Sequence, residues 1–104
     1  MTIATTLGSL DRLQRLYHTG YGDSFLDVAL RKLVERQIAR DKDDLARVDA
    51  ELLRFEERYG MSSDQFWQQY QAGQSEDSED FTEWNVFCKM RQRIISRLHI
   101  LTVS

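Results

Sequence analysis

The chain has 104 residues, 41% of them hydrophobic and 30% charged, with a net charge of −3, one cysteine and no proline. One domain is expected at this length, with a core small enough to be completed by a second copy or a partner. The mild acidity excludes wholesale electrostatic binding to nucleic acid. The single thiol excludes an internal disulfide and fits a reducing cytoplasm, and no apolar run nears the roughly 20 residues of a membrane span.

The first 23 residues form a segment of their own. Its opening, MTIATTLGSLDRL, has neither the basic nor the apolar region of a secretory signal, so none is expected. TIATTL, with Ile3, Thr5 and Leu7 alternating, reads as a short strand. SLDRLQRLYH reads as a short amphipathic helix opened by Ser9, and TGYGDS as a turn.

A helix is expected over 24–59, capped by Asp23 or Ser24 and closed by Gly60. Its second half carries Leu45, Val48, Leu52, Phe55 and Tyr59 in the 3-4-3-4 spacing of helix-on-helix packing. Its first half carries Leu26, Leu30, Leu33, Val34 and Ile38 on a stripe that does not join the other smoothly. Between them RDKDD, residues 40–44, has no apolar residue, which predicts two docking surfaces around a solvated middle. At 1.5 Å per residue such a helix is about 54 Å long, more than a domain of this size covers, which points to pairing with another chain.

ERYGMSSDQFWQQYQAG, residues 57–73, then packs a helix end, a helix start and a second helix end into one stretch. Gly60 supplies a C′ glycine, and Ser62 with Gln65 a capping box. Met61 with Phe66 forms a hydrophobic staple, and Gly73 closes a short helix over 63–72. These devices predict a fixed corner. QSEDSED, residues 74–80, is a polar acidic loop. A third helix over 79–101 follows, with a broad apolar face that includes Phe81, Trp84, Phe87, Cys88, Ile94 and Leu98. Acidic residues at its start and Lys89, Arg91, Arg93 and Arg97 toward its end suit the helix dipole.

No catalytic constellation is visible. Cys88 shares the apolar face with Trp84 and Phe87 and reads as a packed thiol. His18 and His99 lack ligand spacing, and the loop Glu76–Asp80 lacks the glycine and ligand order of a calcium site, so no metal or cofactor is expected. That loop reads as a solvated linker, or as an anionic patch for a basic partner. Arg91, Arg93 and Arg97 read as a solvated face, with contact to nucleic acid as the sharper alternative. A strand, a helix, a turn and a second helix also outline a ribbon-helix-helix module, although the second helix here is far too long for one. Tyr59, Phe66, Trp67, Tyr70, Phe81, Trp84 and Phe87 are more aromatic surface than a small core easily buries. One or two of them exposed at a groove would anchor a partner.

The stretch ELLRFEERYGMSSDQFWQQYQAGQSEDSEDFTEWNVFCKM resembles a group of small bacterial and cyanobacterial proteins. They share F-E-x-x-Y-G-M-S-S, a short helix, A-G, an acidic loop and F-x-E-W. Phe55, Glu56, Tyr59, Gly60, Met61, Ser62, Ser63, Phe66, Ala72, Gly73, Asp80, Phe81, Glu83 and Trp84 match, within a likeness covering about residues 30–90. The resemblance implies an antitoxin of a type II toxin–antitoxin pair, whose partner is a small toxin taken to be a ribonuclease. The N-terminal segment lies outside the likeness, so no DNA-binding role is implied by it.

The expected fold is therefore all-α: one long helix with the 63–72 and 79–101 helices folded back along its C-terminal half, assembling as a dimer. The expected function is non-enzymatic binding and neutralisation of a small protein toxin in the cytoplasm. Leu26, Leu30, Leu33, Val34 and Ile38 form the partner-binding surface, or alternatively the dimer contact. Nucleic acid is expected only in company with the toxin, and no membrane partner is expected. The alternatives are a helical dimerisation or adaptor module without a toxin, and a DNA-binding regulator using the N-terminal segment.

Overall fold

The computed structural model describes residues 3–103, and every regular element among them is an α-helix. In chain order these are α1 (Ile3–His18), α2 (Ser24–Tyr59), α3 (Ser63–Gln71) and α4 (Glu79–Thr102). Internal contacts divide the chain into two units, Met1–Leu33 and Val34–Ser104, and α2 runs through the boundary.

In the first unit the expected strand is replaced by helix. Residues 3–7 belong to α1, and Ser9 lies inside that helix, where its hydroxyl donates to the Thr5 carbonyl at 3.1 Å instead of capping a helix start. The β-branched residues Ile3, Thr5 and Thr6 favour a strand only weakly. Leu7, Leu10, Leu13 and Tyr17 recur at helical spacing, and that periodicity wins. The turn into α2 is fixed by polar bonds. Asp23 caps α2, accepting from the backbone N–H of Phe25 at 2.8 Å and of Leu26 at 3.1 Å. The Tyr17 hydroxyl donates to Asp27 at 2.7 Å, and Tyr21 donates to Asp23 at 3.1 Å.

The second unit holds the core: Val48, Leu52 and Phe55 from α2, Phe66 from α3, and Trp84, Cys88 and Ile94 from α4. α4 runs antiparallel to α2. Asp80 meets Arg58 and Tyr59, Trp84 meets Phe55, Arg91 meets Asp49, and Arg97 meets Asp41. Trp84 is wholly buried, and rings from α2 and α3 gather on it. Phe66 stacks at 4.0 Å between centroids with the planes 1° apart, Phe55 at 5.5 Å and Tyr59 at 5.7 Å.

The corner between α2 and α3 carries the expected C′ glycine at Gly60 and the expected Ser62 cap. Gly60 has φ +63°, and the backbone N–H groups of Gly60 and Met61 both donate to the Glu56 carbonyl, at 2.8 and 3.3 Å. A left-handed glycine with this return bond is a common way for a helix to stop. Two residues later Ser62 Oγ accepts from the Gln65 N–H at 3.1 Å. The Glu56 carboxylate, from the last turn of α2, accepts from the Ser63 N–H at 2.7 Å. One helix end therefore caps the next helix start. α3 closes in the same manner on Gly73, with φ +72°.

A Cβ at Gly60 would meet no heavy atom within 4 Å, so a substitution there acts through the backbone alone. Gly60→Val is expected to cost about 1–2 kcal/mol, and Ser62→Ala about 1 kcal/mol through the lost cap. For a chain of this size each 1 kcal/mol lowers the thermal midpoint by roughly 4–8 °C, which a melt followed by circular dichroism reads directly.

Candidate functional site

The five residues expected to bind a partner all lie on α2, on both sides of the boundary between the units. Leu26 and Leu30 are half-buried and Leu33 is 62% exposed in the first unit; Val34 is 41% exposed and Ile38 half-buried in the second. In the first unit they stand with other uncovered apolar side chains: Leu7 at 59%, Leu10 at 54% and Phe25 at 76% exposure. Among the described residues of that unit no side chain is buried.

In the second unit the expected break in the stripe is not there. Asp41, inside RDKDD, is 1% exposed, so the middle of α2 is not simply a solvated spacer. Val34, Ile38, Asp41, Leu45, Val48, Leu52, Phe55 and Tyr59 follow one another at intervals of four and three residues along one helix face. Asp41 fills the position where an apolar residue was missing. Its Oδ1 accepts from Gln37 Nε2 at 3.1 Å and from Arg97 Nη2 at 3.1 Å, and Arg97 Nε adds bonds at 3.3 and 3.4 Å. A buried carboxylate is tolerated when its acceptor capacity is met by a charged donor. Arg97, which on sequence grounds serves the helix dipole, is thus a tertiary contact.

The aromatic residues are better covered than their number suggests. Phe66 and Trp84 are buried, while Tyr59, Trp67, Tyr70, Phe81 and Phe87 are half-buried, so none is fully exposed. Pairing at the corner absorbs them. Trp84 Nε1 donates to Ser63 Oγ at 3.0 Å, and the Tyr59 hydroxyl donates to Asp80. Asp80, in the acidic segment, is therefore tied to α2 through Tyr59 and Arg58. The Tyr59 phenol is held above its usual range chiefly by that bond to Asp80. Ser78, not singled out from sequence, caps α4 by accepting from the Phe81 N–H at 3.1 Å. A serine three residues ahead of the first aromatic was the available signal.

Two of the open grooves run along α4. One of about 680 Å³ has Val48, Phe87, Met90 and Ile94 among its lining residues. The other, about 650 Å³, lies between the end of α3 and α4 and includes Trp67, Gln71, Lys89 and Arg93. Cys88 is 7% exposed, and burial foremost, then the carboxylates of Asp64 and Glu56, pushes its thiol up to about 11 against the partial relief of Arg91. Such a thiol stays protonated at neutral pH and is a poor nucleophile. Among the described residues no three His, Cys, Asp or Glu side chains converge as a metal site. No helix among them is long and apolar enough to cross a membrane.

Set against known proteins, the chain matches no protein-family model, no curated protein and no solved structure.

Removing Arg97 leaves the Asp41 carboxylate buried with Gln37 as its remaining donor. Arg97→Met is therefore expected to cost about 3 kcal/mol, while the double change Asp41→Leu with Arg97→Met falls within about 1–2 kcal/mol of the parent in urea denaturation. Cys88 gives a second test. Its unfolded thiol ionises near 9 and its folded thiol near 11. Its contribution is complete below pH 9 and is lost as the pH rises toward 11, because only the unfolded state gives up the proton there. Cys88→Ala is expected to flatten that part of the alkaline stability curve.

Proposed function

We propose that this chain is a non-enzymatic, antitoxin-like protein that binds and neutralises a small partner toxin, a ribonuclease, in the cytoplasm. The observation that carries the reading is the first unit. Two amphipathic helical segments there expose Leu7, Leu10, Phe25 and Leu33 and bury none of their described side chains. A helical surface with that much apolar area in water is the signature of a docking face. The resemblance of residues 30–90 to antitoxins supplies the kind of partner. The protonated, enclosed Cys88 supports a role in binding rather than catalysis, since a nucleophilic thiol must be ionised and accessible. A homodimer is part of the proposal, with the long helix as the contact and nucleic acid engaged only in company with the toxin.

The site assignment is that Leu26, Leu30 and Leu33 in the first unit, with Val34 and Ile38 in the second, contact the partner. Leu30→Glu with Leu33→Glu is expected to abolish growth rescue when the chain is co-expressed with its partner toxin, with helical circular dichroism retained. Light scattering of the parent chain at tens of micromolar is expected to report a dimer. Rescue by the glutamate variant, with the dimer intact, would remove these residues from the interface.

A further inference from the structure

The groove beside α3 carries a charge pattern that the toxin-binding reading leaves unused. Lys89, Arg93 and Arg97 line it together with Trp67 and Gln71, and every charged residue in its lining is basic. The three cations follow one another at four-residue intervals on α4, so they form a ridge that winds slowly round the helix with a rise of about 6 Å per step. Arg97 is held in place by Asp41. Among the described residues Lys89 and Arg93 stand in no ion pair, in contrast to Arg91, which meets Asp49 at 2.8 Å. Trp67, half-buried, packs against the core and forms the apolar side of the same groove.

We infer that this groove binds an acidic amphipathic helix of a partner protein, one that presents carboxylates at four-residue intervals to Lys89, Arg93 and Arg97 and an apolar side chain to Trp67. A neighbouring helix repeats with the same step as the ridge, so its carboxylates meet the cations in register, as charged flanking positions do between paired helices. A partly covered tryptophan beside such a ridge gives the apolar anchor that charge alone does not supply. A nucleic acid strand fits less well. The ridge spans only about 12 Å, and a strand running past either end would enter the field of a chain whose net charge is −3, which repels a polyanion. The site lies within the second unit and stands independently of toxin binding.

The two tryptophans make the test direct, because Trp84 is wholly enclosed and Trp67 is not. The full chain is titrated with a synthetic helical peptide bearing glutamates at four-residue intervals and leucines along one side. A second peptide has glutamine in place of each glutamate, and oligothymidylate serves as the nucleic acid. The glutamate peptide is expected to shift the tryptophan emission and to lose affinity as salt is raised. The glutamine peptide is expected to bind about tenfold more weakly, and Lys89→Gln with Arg93→Gln to weaken the glutamate peptide by a similar factor with helix content unchanged. Trp67→Phe is expected to remove the signal. Equal binding of the two peptides, indifference to the Lys89 and Arg93 changes, or preference of the ridge for oligothymidylate would each overturn the assignment.

Discussion

The indole of Trp84 is the contact on which the second unit depends. Phe55 and Tyr59 from α2 and Phe66 from α3 all stack on a ring that α4 carries. Removing an enclosed ring of this size costs about 3–5 kcal/mol, a large share of the stability a small domain has. Its polar edge is fixed as firmly as its faces, because Nε1 has a single settled acceptor in Ser63 Oγ. Ser63 in turn is placed by Glu56, so the turn chemistry of one chain corner and the packing of the core specify the same arrangement. Agreement between local and tertiary preferences of this kind makes a short sequence choose one structure.

Against that, the first unit is built on different terms. Its order comes from hydrogen bonds at the turn: the Tyr17 phenol is raised to about 12 by donating to Asp27, and the Asp23 carboxyl is lowered mainly by the Leu26 N–H. These are exposed polar contacts, which add little net stability in water. Its apolar side chains stay exposed or half-buried and so contribute little burial energy of their own.

How legible these features were in the sequence follows their range along the chain. Helix ends were legible because their signals are local: Asp23, Gly60, Ser62 and Gly73 each act on atoms a few residues away, and α2 spans Ser24–Tyr59 as those signals require. At the start of α1, Ile3, Thr5 and Leu7 fit strand alternation over a short window, and the helical repeat shows only when Leu10, Leu13 and Tyr17 are counted with Leu7. Asp41 was illegible for another reason. A charged residue in an apolar stripe looks like an interruption until its partner is known, and Arg97 lies 56 residues away. The coverage of the aromatic cluster was underestimated in the same way, since Trp84, Ser63 and Tyr59 satisfy one another only once the corner has formed.

The pairing of buried Asp41 with the half-exposed Arg97 also constrains how this sequence can drift. Losing the arginine strands a carboxylate, whereas replacing both partners with apolar residues of similar volume is nearly neutral. The easier mutational route then changes Asp41 first, because Arg97 is 48% exposed in its side chain and can turn to water when its partner is gone. Divergent versions of this chain are accordingly expected to carry either the ion pair or an apolar pair at these two positions, with intermediates that keep the arginine and have lost the aspartate. An acid at 41 facing a neutral residue at 97 should be the rare combination.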